Sequence, residues 1–246
     1  MSEAAPLRLP GRSRQSELMD TERVPYEEFR ACLRDLERVN RASLGYRPTL
    51  RWLERTLAGS PPAAPLRILD VGAGHGDMLR RVRRWADRRD IEADLTGIDL
   101  NPWSARAAEE ATPPEMRIRF ETGDLFDIDP TRGFDVILSA LFAHHLDDAQ
   151  LVRFIAWMER TARIGWFVND LHRHPVARRG LQAIFGALPV HRFVRHDGPV
   201  SVARAFSRAD LHAAVAAAGV DPARVEIAWH APFRWGMGTR PGAARP

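Results

Sequence analysis

Two periodicities divide the chain. Between Tyr26 and Val39, apolar residues recur three and four apart, at Phe29, Leu33, Leu36 and Val39, which predicts an amphipathic helix. A shorter helix is predicted from Pro48 to Leu57, ended by the linker-like run Gly59-Ser-Pro-Pro-Ala-Ala-Pro65. Beyond the linker, short apolar strands alternate with helices. Strands are predicted at Leu66–Val71, Ala93–Leu100, Met116–Glu121, Phe134–Ser139 and Ile164–Asn169, and helices at Met78–Trp85, Trp103–Ala111 and Gln150–Arg163. Such alternation implies an α/β fold, a mostly parallel sheet with helices on both faces. Ser207 and Asp210 form a capping-box-like start to a helix that Gly219 ends, and Val225–Trp229 and Phe233–Met237 read as a closing antiparallel pair.

The remaining segments carry no clear period. Residues 174–206 read as an irregular insertion, and residues 1–20 and 239–246 as disordered tails. The expected organisation is therefore a tail (1–20), a helical lid (21–60), an α/β domain (61–238) and a second tail (239–246).

Composition narrows the chemistry. All 36 basic residues are arginine, so reactions that need a lysine amine, including Schiff-base and P-loop chemistry, are excluded. The single cysteine, Cys32, rules out internal disulfides and cysteine-rich zinc sites. No apolar run approaches the roughly 18 residues of a membrane span, and the N-terminus lacks the apolar core of a signal peptide, so a cytoplasmic protein is expected. The net charge of +4 is small and scattered, which is weak support for a nucleic-acid partner.

The sharpest motif is Ile68-Leu-Asp-Val-Gly-Ala-Gly-His-Gly-Asp77, a glycine loop between a strand and a helix. Glycine permits positive φ and close approach of a ligand. A dinucleotide fingerprint would place its third glycine at position 77, but Asp77 stands there, where a carboxylate would repel a pyrophosphate. The loop suits a ligand without phosphates. Two more acids follow in order at predicted strand ends, Asp99 and Asp124.

These residues resemble the class I methyltransferases that use S-adenosylmethionine (SAM). The resemblance implies a Rossmann-like sheet and SAM as cofactor. It assigns cofactor binding to Asp70, Gly72, Ala73, Gly74, Asp99, Leu100, Asp124, Leu125 and Ser139, with Asp99 on the ribose hydroxyls and Asp124 and the Leu125 backbone on adenine. The fourth strand leads into Ser139-Ala-Leu-Phe-Ala-His-His-Leu-Asp-Asp148, which should lie beside the sulfonium methyl. The Asn/Asp-Pro-Pro-aromatic motif of nucleic-acid adenine enzymes is missing there, and Cys32 is misplaced for a cytosine-C5 nucleophile.

A small acceptor remains. A phenol needs help losing its proton near neutral pH, and histidine suits that task. His144 is the first candidate for the base and His145 the second. Asp170 is a candidate to orient a histidine, and His196 to act on the acceptor. No histidine spacing demands a metal. Several further segments, among them Asp35–Arg41, Val168–Leu171 and Arg195–Leu211, are similar to the ubiquinone/menaquinone-type methyltransferases found beside bacterial type III polyketide synthases. That similarity implies a phenolic or quinol oxygen as acceptor and makes the inserted 174–206 region part of its pocket, with Phe29, Tyr46, Phe142 and Phe193 as lining candidates. Methylation at ring carbon, a non-catalytic SAM-binding protein and an RNA-modifying enzyme are the alternatives. Oligomeric state is not legible.

Overall fold

The structure is a computed structural model and describes residues 11–58 and 65–242. Seven strands form one sheet: β1 (Leu66–Val71), β2 (Ala93–Asp99), β3 (Ile118–Thr122), β4 (Val136–Ala140), β5 (Gly165–Leu171), β6 (Val225–His230) and β7 (Arg234–Thr239). Their order is β3-β2-β1-β4-β5-β7-β6. β1 to β5 are parallel, while β7 runs antiparallel to both β5 and β6. The expected sheet and closing pair are both present.

The helices are α1 (Leu18–Thr21), α2 (Tyr26–Ala42), α3 (Arg47–Thr56), α4 (Asp77–Asp87), α5 (Pro102–Ala111), α6 (Asp148–Thr161), α7 (Pro175–Ala187), α8 (Arg192–Arg204) and α9 (Arg208–Ala217). Local chemistry fixes their starts. Asn101 accepts from the Trp103 amide, and Pro102 follows at the first helical position, where its missing N–H costs nothing. Asp147 with Gln150, and Ser207 with Asp210, form full capping boxes.

The core has two layers, one on each face of the sheet. On one side Leu79, Val82 and Trp85 of α4 pack against β2, and Trp52 and Leu53 of α3 against β5, where Trp52 stacks on Phe167. On the other, Phe154, Ile155 and Met158 of α6 join Leu69, Ile137 and Val168 of β1, β4 and β5, and Leu211 and Val215 of α9 pack against α6 and β6. A third cluster lies under the N-terminal helices, where Phe29 and Leu33 of α2 meet Phe185 of α7 and Phe193 of α8. The chain leaves β1 toward β2 and β3, then crosses back to β4 and β5. The crevice where strand order reverses therefore opens at the carboxyl ends of β1 and β4, the usual ligand position in such sheets.

Three sequence expectations are corrected. Residues 1–10 of the expected N-terminal tail lie outside the described residues, but 11–20 pack onto the domain. The Ser13 amide bonds to the Ala203 carbonyl at 3.0 Å, and the Arg12 guanidinium meets Asp148 at 3.0 Å. The polar composition of this segment is used for internal pairing rather than solvation. The 174–206 region is a pair of helices, α7 and α8, and His196-Asp-Gly lies within α8 rather than in a turn. Glycines and Pro199 hide that helix from a periodicity reading. At the other end β7 continues through buried Thr239, whose carbonyl accepts from the Trp52 indole at 2.8 Å. Residues 59–64 of the expected linker and 243–246 of the C-terminal tail lie outside the described residues.

Candidate active site

The glycine loop follows β1 with Gly72, Gly74 and Gly76 all at positive φ (71°, 51° and 72°). The Gly72 and Ala73 amides bond to the Ile98 carbonyl, which ties the loop to β2. A Cβ at Gly72 would stand 2.6 Å from the Phe142 ring, whereas one at Gly74 would meet nothing within 4 Å. Gly74 thus presents bare backbone to open space.

Acids surround that space. Asp70 is fully buried, and its Oδ1 has no hydrogen-bond partner among the described residues. Burial, then the charges of Asp77 and Asp99, hold its pKa well above the carboxylate range. Asp99 accepts from the Gly74 amide at 3.0 Å and the Asn101 amide at 2.9 Å. Burial outweighs these bonds and raises its pKa too. Exposed Asp124 caps the turn after β3 by accepting from the Phe126 amide at 2.9 Å. Leu100, 74% exposed, lies between these acids in sequence and offers an apolar face.

One cavity of about 750 Å³ joins these residues to a second chamber. Asp70, Gly72, Ala73, Gly74, Asp99, Leu100, Asp124 and Leu125 all line it. Ser139 does not. It is buried within β4, its hydroxyl has no hydrogen-bond partner among the described residues, and the lining passes instead to Ala140 and Leu141. Leu141 has a positive φ of 56°, and its amide bonds to the Asn169 carbonyl. This strained bend turns the chain off β4, laying Phe142 over Gly72 and bringing His144 to β5.

There Asp170, the carboxylate expected to orient a histidine, is paired with His144. His144 Nδ1 lies 2.7 Å from one Asp170 oxygen, and the His144 amide donates to the other at 2.9 Å. The Nε2 edge faces Glu17 at 3.5 Å. Burial alone would lower the histidine pKa, but Asp170 and Glu17 outweigh it and raise it to about 10. In this arrangement His144 holds its proton at neutral pH, so the simple base reading does not describe it. His145 Nδ1 lies 2.8 Å from Asp20, and its Nε2 lies 3.8 Å from Glu17. His196 does not line the cavity. It is paired with Asp197 at 2.8 Å, and it is Asp197 that lines the wall and receives the Leu18 and Met19 amides.

The far end of the cavity is apolar, where Phe29, Leu33, Phe185 and Phe193 of the cluster beneath the N-terminal helices line it, while Tyr46 and Phe142 line it beside the glycine loop. Cys32 also lies there, with its thiol pushed up to about 12 by burial and nearby carboxylates, so it is no nucleophile. The sequence reading missed Glu17, Asp20 and Arg234. Glu17 is buried, and its carboxyl falls to about 2: burial opposes this, but bonds and charge from His144 prevail. The one available signal was the apolar pair Leu18-Met19 inside a polar run.

Comparison with known proteins agrees with this geometry. Residues 68–165 match a family model described as a methyltransferase domain. The chain is 32% identical over 82 residues to a 2-methyl-6-phytyl-1,4-hydroquinone methyltransferase of Synechocystis, covering 33% of this chain and 24% of that protein. It is 28% identical over 116 residues to a ubiquinone biosynthesis O-methyltransferase of Bradyrhizobium diazoefficiens, covering 46% and 44%. The matched segments thus span less than half of either relative. Among solved structures, human N-acetylserotonin methyltransferase in complex with SAM superposes with a TM-score of 0.62 at 16% identity, covering 89% of this chain and 57% of that one, which establishes likeness of fold.

Proposed function

We propose that this chain is a class I SAM-dependent methyltransferase and that it methylates a phenolic or quinol oxygen of a small apolar acceptor of the polyketide or lipid-like kind. The observation that carries this is the single cavity running from the glycine-loop acids to an aromatic chamber, with His144 and His145 on its wall. Its volume of about 750 Å³ suits a cofactor and a small ring together.

The residues present fit SAM. Asp70 offers an unpartnered buried oxygen to a cationic ligand, and Gly74 leaves room against its backbone. Asp99 retains acceptor capacity beyond its two amide bonds and serves the ribose hydroxyls. Asp124 and the Leu125 backbone serve the adenine edge, and Leu100 covers its face. When bound, SAM supplies an electrophilic methyl group on sulfur. The aromatic chamber holds the acceptor ring, and the two histidines meet its oxygen. The Asp170 carboxylate fixes the orientation of His144. The lid excludes water, which would compete for the methyl group. The names of the two relatives, one concerned with a hydroquinone and one with ubiquinone biosynthesis, support a ring oxygen.

Two measurements test this. Calorimetry should show SAM and its demethylated product binding one site per chain. Incubation with methyl-labelled SAM and a panel of alkylated phenols and quinols should yield O-methyl products. In the same product assay His144→Ala should lower kcat, with SAM affinity nearly unchanged. Absence of SAM binding at millimolar ligand defeats the proposal. Label on ring carbon alone defeats the oxygen assignment.

A further inference from the structure

We propose that Glu17, His144 and His145 form a binding site for one divalent transition-metal ion of the zinc type on the acceptor side of the cavity. Their ligand atoms all lie within 4.8 Å of one another. His144 Nε2 is 3.5 Å from one Glu17 oxygen, and His145 Nε2 is 3.8 Å from the other. Ligands bound at about 2.0–2.1 Å in a tetrahedron stand roughly 3.4 Å apart, so shifts of about 1 Å or less close the set.

The surroundings are those of a built site. Metal-binding histidines generally give their other ring nitrogen to a carboxylate or carbonyl, which fixes the tautomer and aims the ligand atom. Both histidines do so here. His144 Nδ1 meets Asp170 at 2.7 Å and His145 Nδ1 meets Asp20 at 2.8 Å, so both Nε2 atoms turn toward Glu17. Glu17 is oriented in turn by the Ser201 hydroxyl, which donates to its Oε1 at 2.8 Å. The backbone is pinned as well, because Arg12 and Arg204 both donate to the His144 carbonyl, at 2.9 and 3.1 Å.

Binding through His144 Nε2 displaces the proton that Asp170 and Glu17 hold on that imidazole, so the ion takes over its charge between the same carboxylates. Two imidazoles with one carboxylate favour zinc, cobalt or iron over magnesium, which prefers oxygen ligands. All three side chains line the cavity, so a further position on the ion faces the acceptor chamber. An acceptor oxygen bound there is polarised and loses its proton to solvent more readily. That use of the ion rests on the methyl-transfer reading, but its binding does not.

The test is a titration of metal-free full-length protein with Co²⁺, followed by visible absorption, with Zn²⁺ competition and Mg²⁺ as a third arm. One equivalent of Co²⁺ should give the visible bands of a four- or five-coordinate site, which Zn²⁺ displaces and Mg²⁺ does not. Glu17→Gln and His145→Gln should each abolish the bands or weaken binding at least 100-fold. Asp20→Asn should weaken it by about 10- to 100-fold. His212→Ala, an exposed residue of α9, should bind like the unaltered chain. SAM affinity, measured on each variant, reports an intact fold. No bands at millimolar Co²⁺, or bands unchanged in Glu17→Gln and His145→Gln, overturns the site. Co²⁺ binding without any SAM binding would leave the site standing and defeat the proposed function instead.

Discussion

Asp70 and Asp99 show how one residue type takes its role from its surroundings. Both are acids at strand ends, and both have raised pKa values because burial disfavours the charge. A cationic ligand reverses that preference. SAM should therefore bind the ionised form and release protons. The sign follows: protonated acids in the free protein weaken binding, so affinity should rise with pH until the free-protein pKa values are passed. Calorimetry in buffers of different ionisation enthalpy will show the release as a buffer-dependent heat, and a pH-independent affinity would contradict it. Asp99→Ala should weaken SAM binding by about 10- to 100-fold, the worth of a charged hydrogen bond at roughly 1.5–3 kcal/mol. His144 was legible as a residue but not as a state. Its proton affinity depends on Asp170 and Glu17, 26 and 127 positions away in the chain.

Among the elements, the glycine loop and α2 carry separable predictions. Gly72 and Gly74 share positive φ, which costs an alanine about 1–2 kcal/mol at either place. Only at Gly72 would the added methyl strike a ring, that of Phe142. Gly72→Ala should accordingly lower the melting temperature more than Gly74→Ala. Gly74→Ala should act mainly on SAM affinity, because its methyl enters the cavity. Melting curves and calorimetry on the pair decide this, and equal melting temperatures would contradict the contact. The strands and most helices were readable because their period is local, and the bounds of β1 match the expectation. α7 and α8 were not, since glycines and Pro199 interrupt the period that tertiary packing restores.

Across the whole molecule, α2 is fastened to the α/β domain by charge as well as by apolar packing. Glu37 of α2 meets His75 of the glycine loop and Arg80 of α4, each at 2.6 Å. Burial opposes ionisation, but these two partners lower the Glu37 pKa to about 2. A depressed carboxylate contributes stability above its unfolded pKa and loses it as pH falls through the folded one. The contribution should fade between about pH 4.5 and 2. Glu37→Gln should therefore lower the melting temperature at neutral pH and flatten its fall across that window. An unchanged acid profile would show that apolar contacts alone hold α2.

The sequence by itself determined the sheet, its glycine loop and the order of its acids, because each is written within a few consecutive residues. Local hydrogen bonds and periodic burial act over that range. The fastening of the N-terminal segment was decided only in three dimensions. Residues 11–20 look like a solvated tail by composition, yet Arg12 and Glu17 find their partners at Asp148, His144 and Ser201. No local pattern encodes a counter-charge more than a hundred residues away. The same is true of the histidine pair. The chain places His144 and His145 side by side, but folding alone sets Asp170 behind one, Asp20 behind the other and Glu17 in front of both.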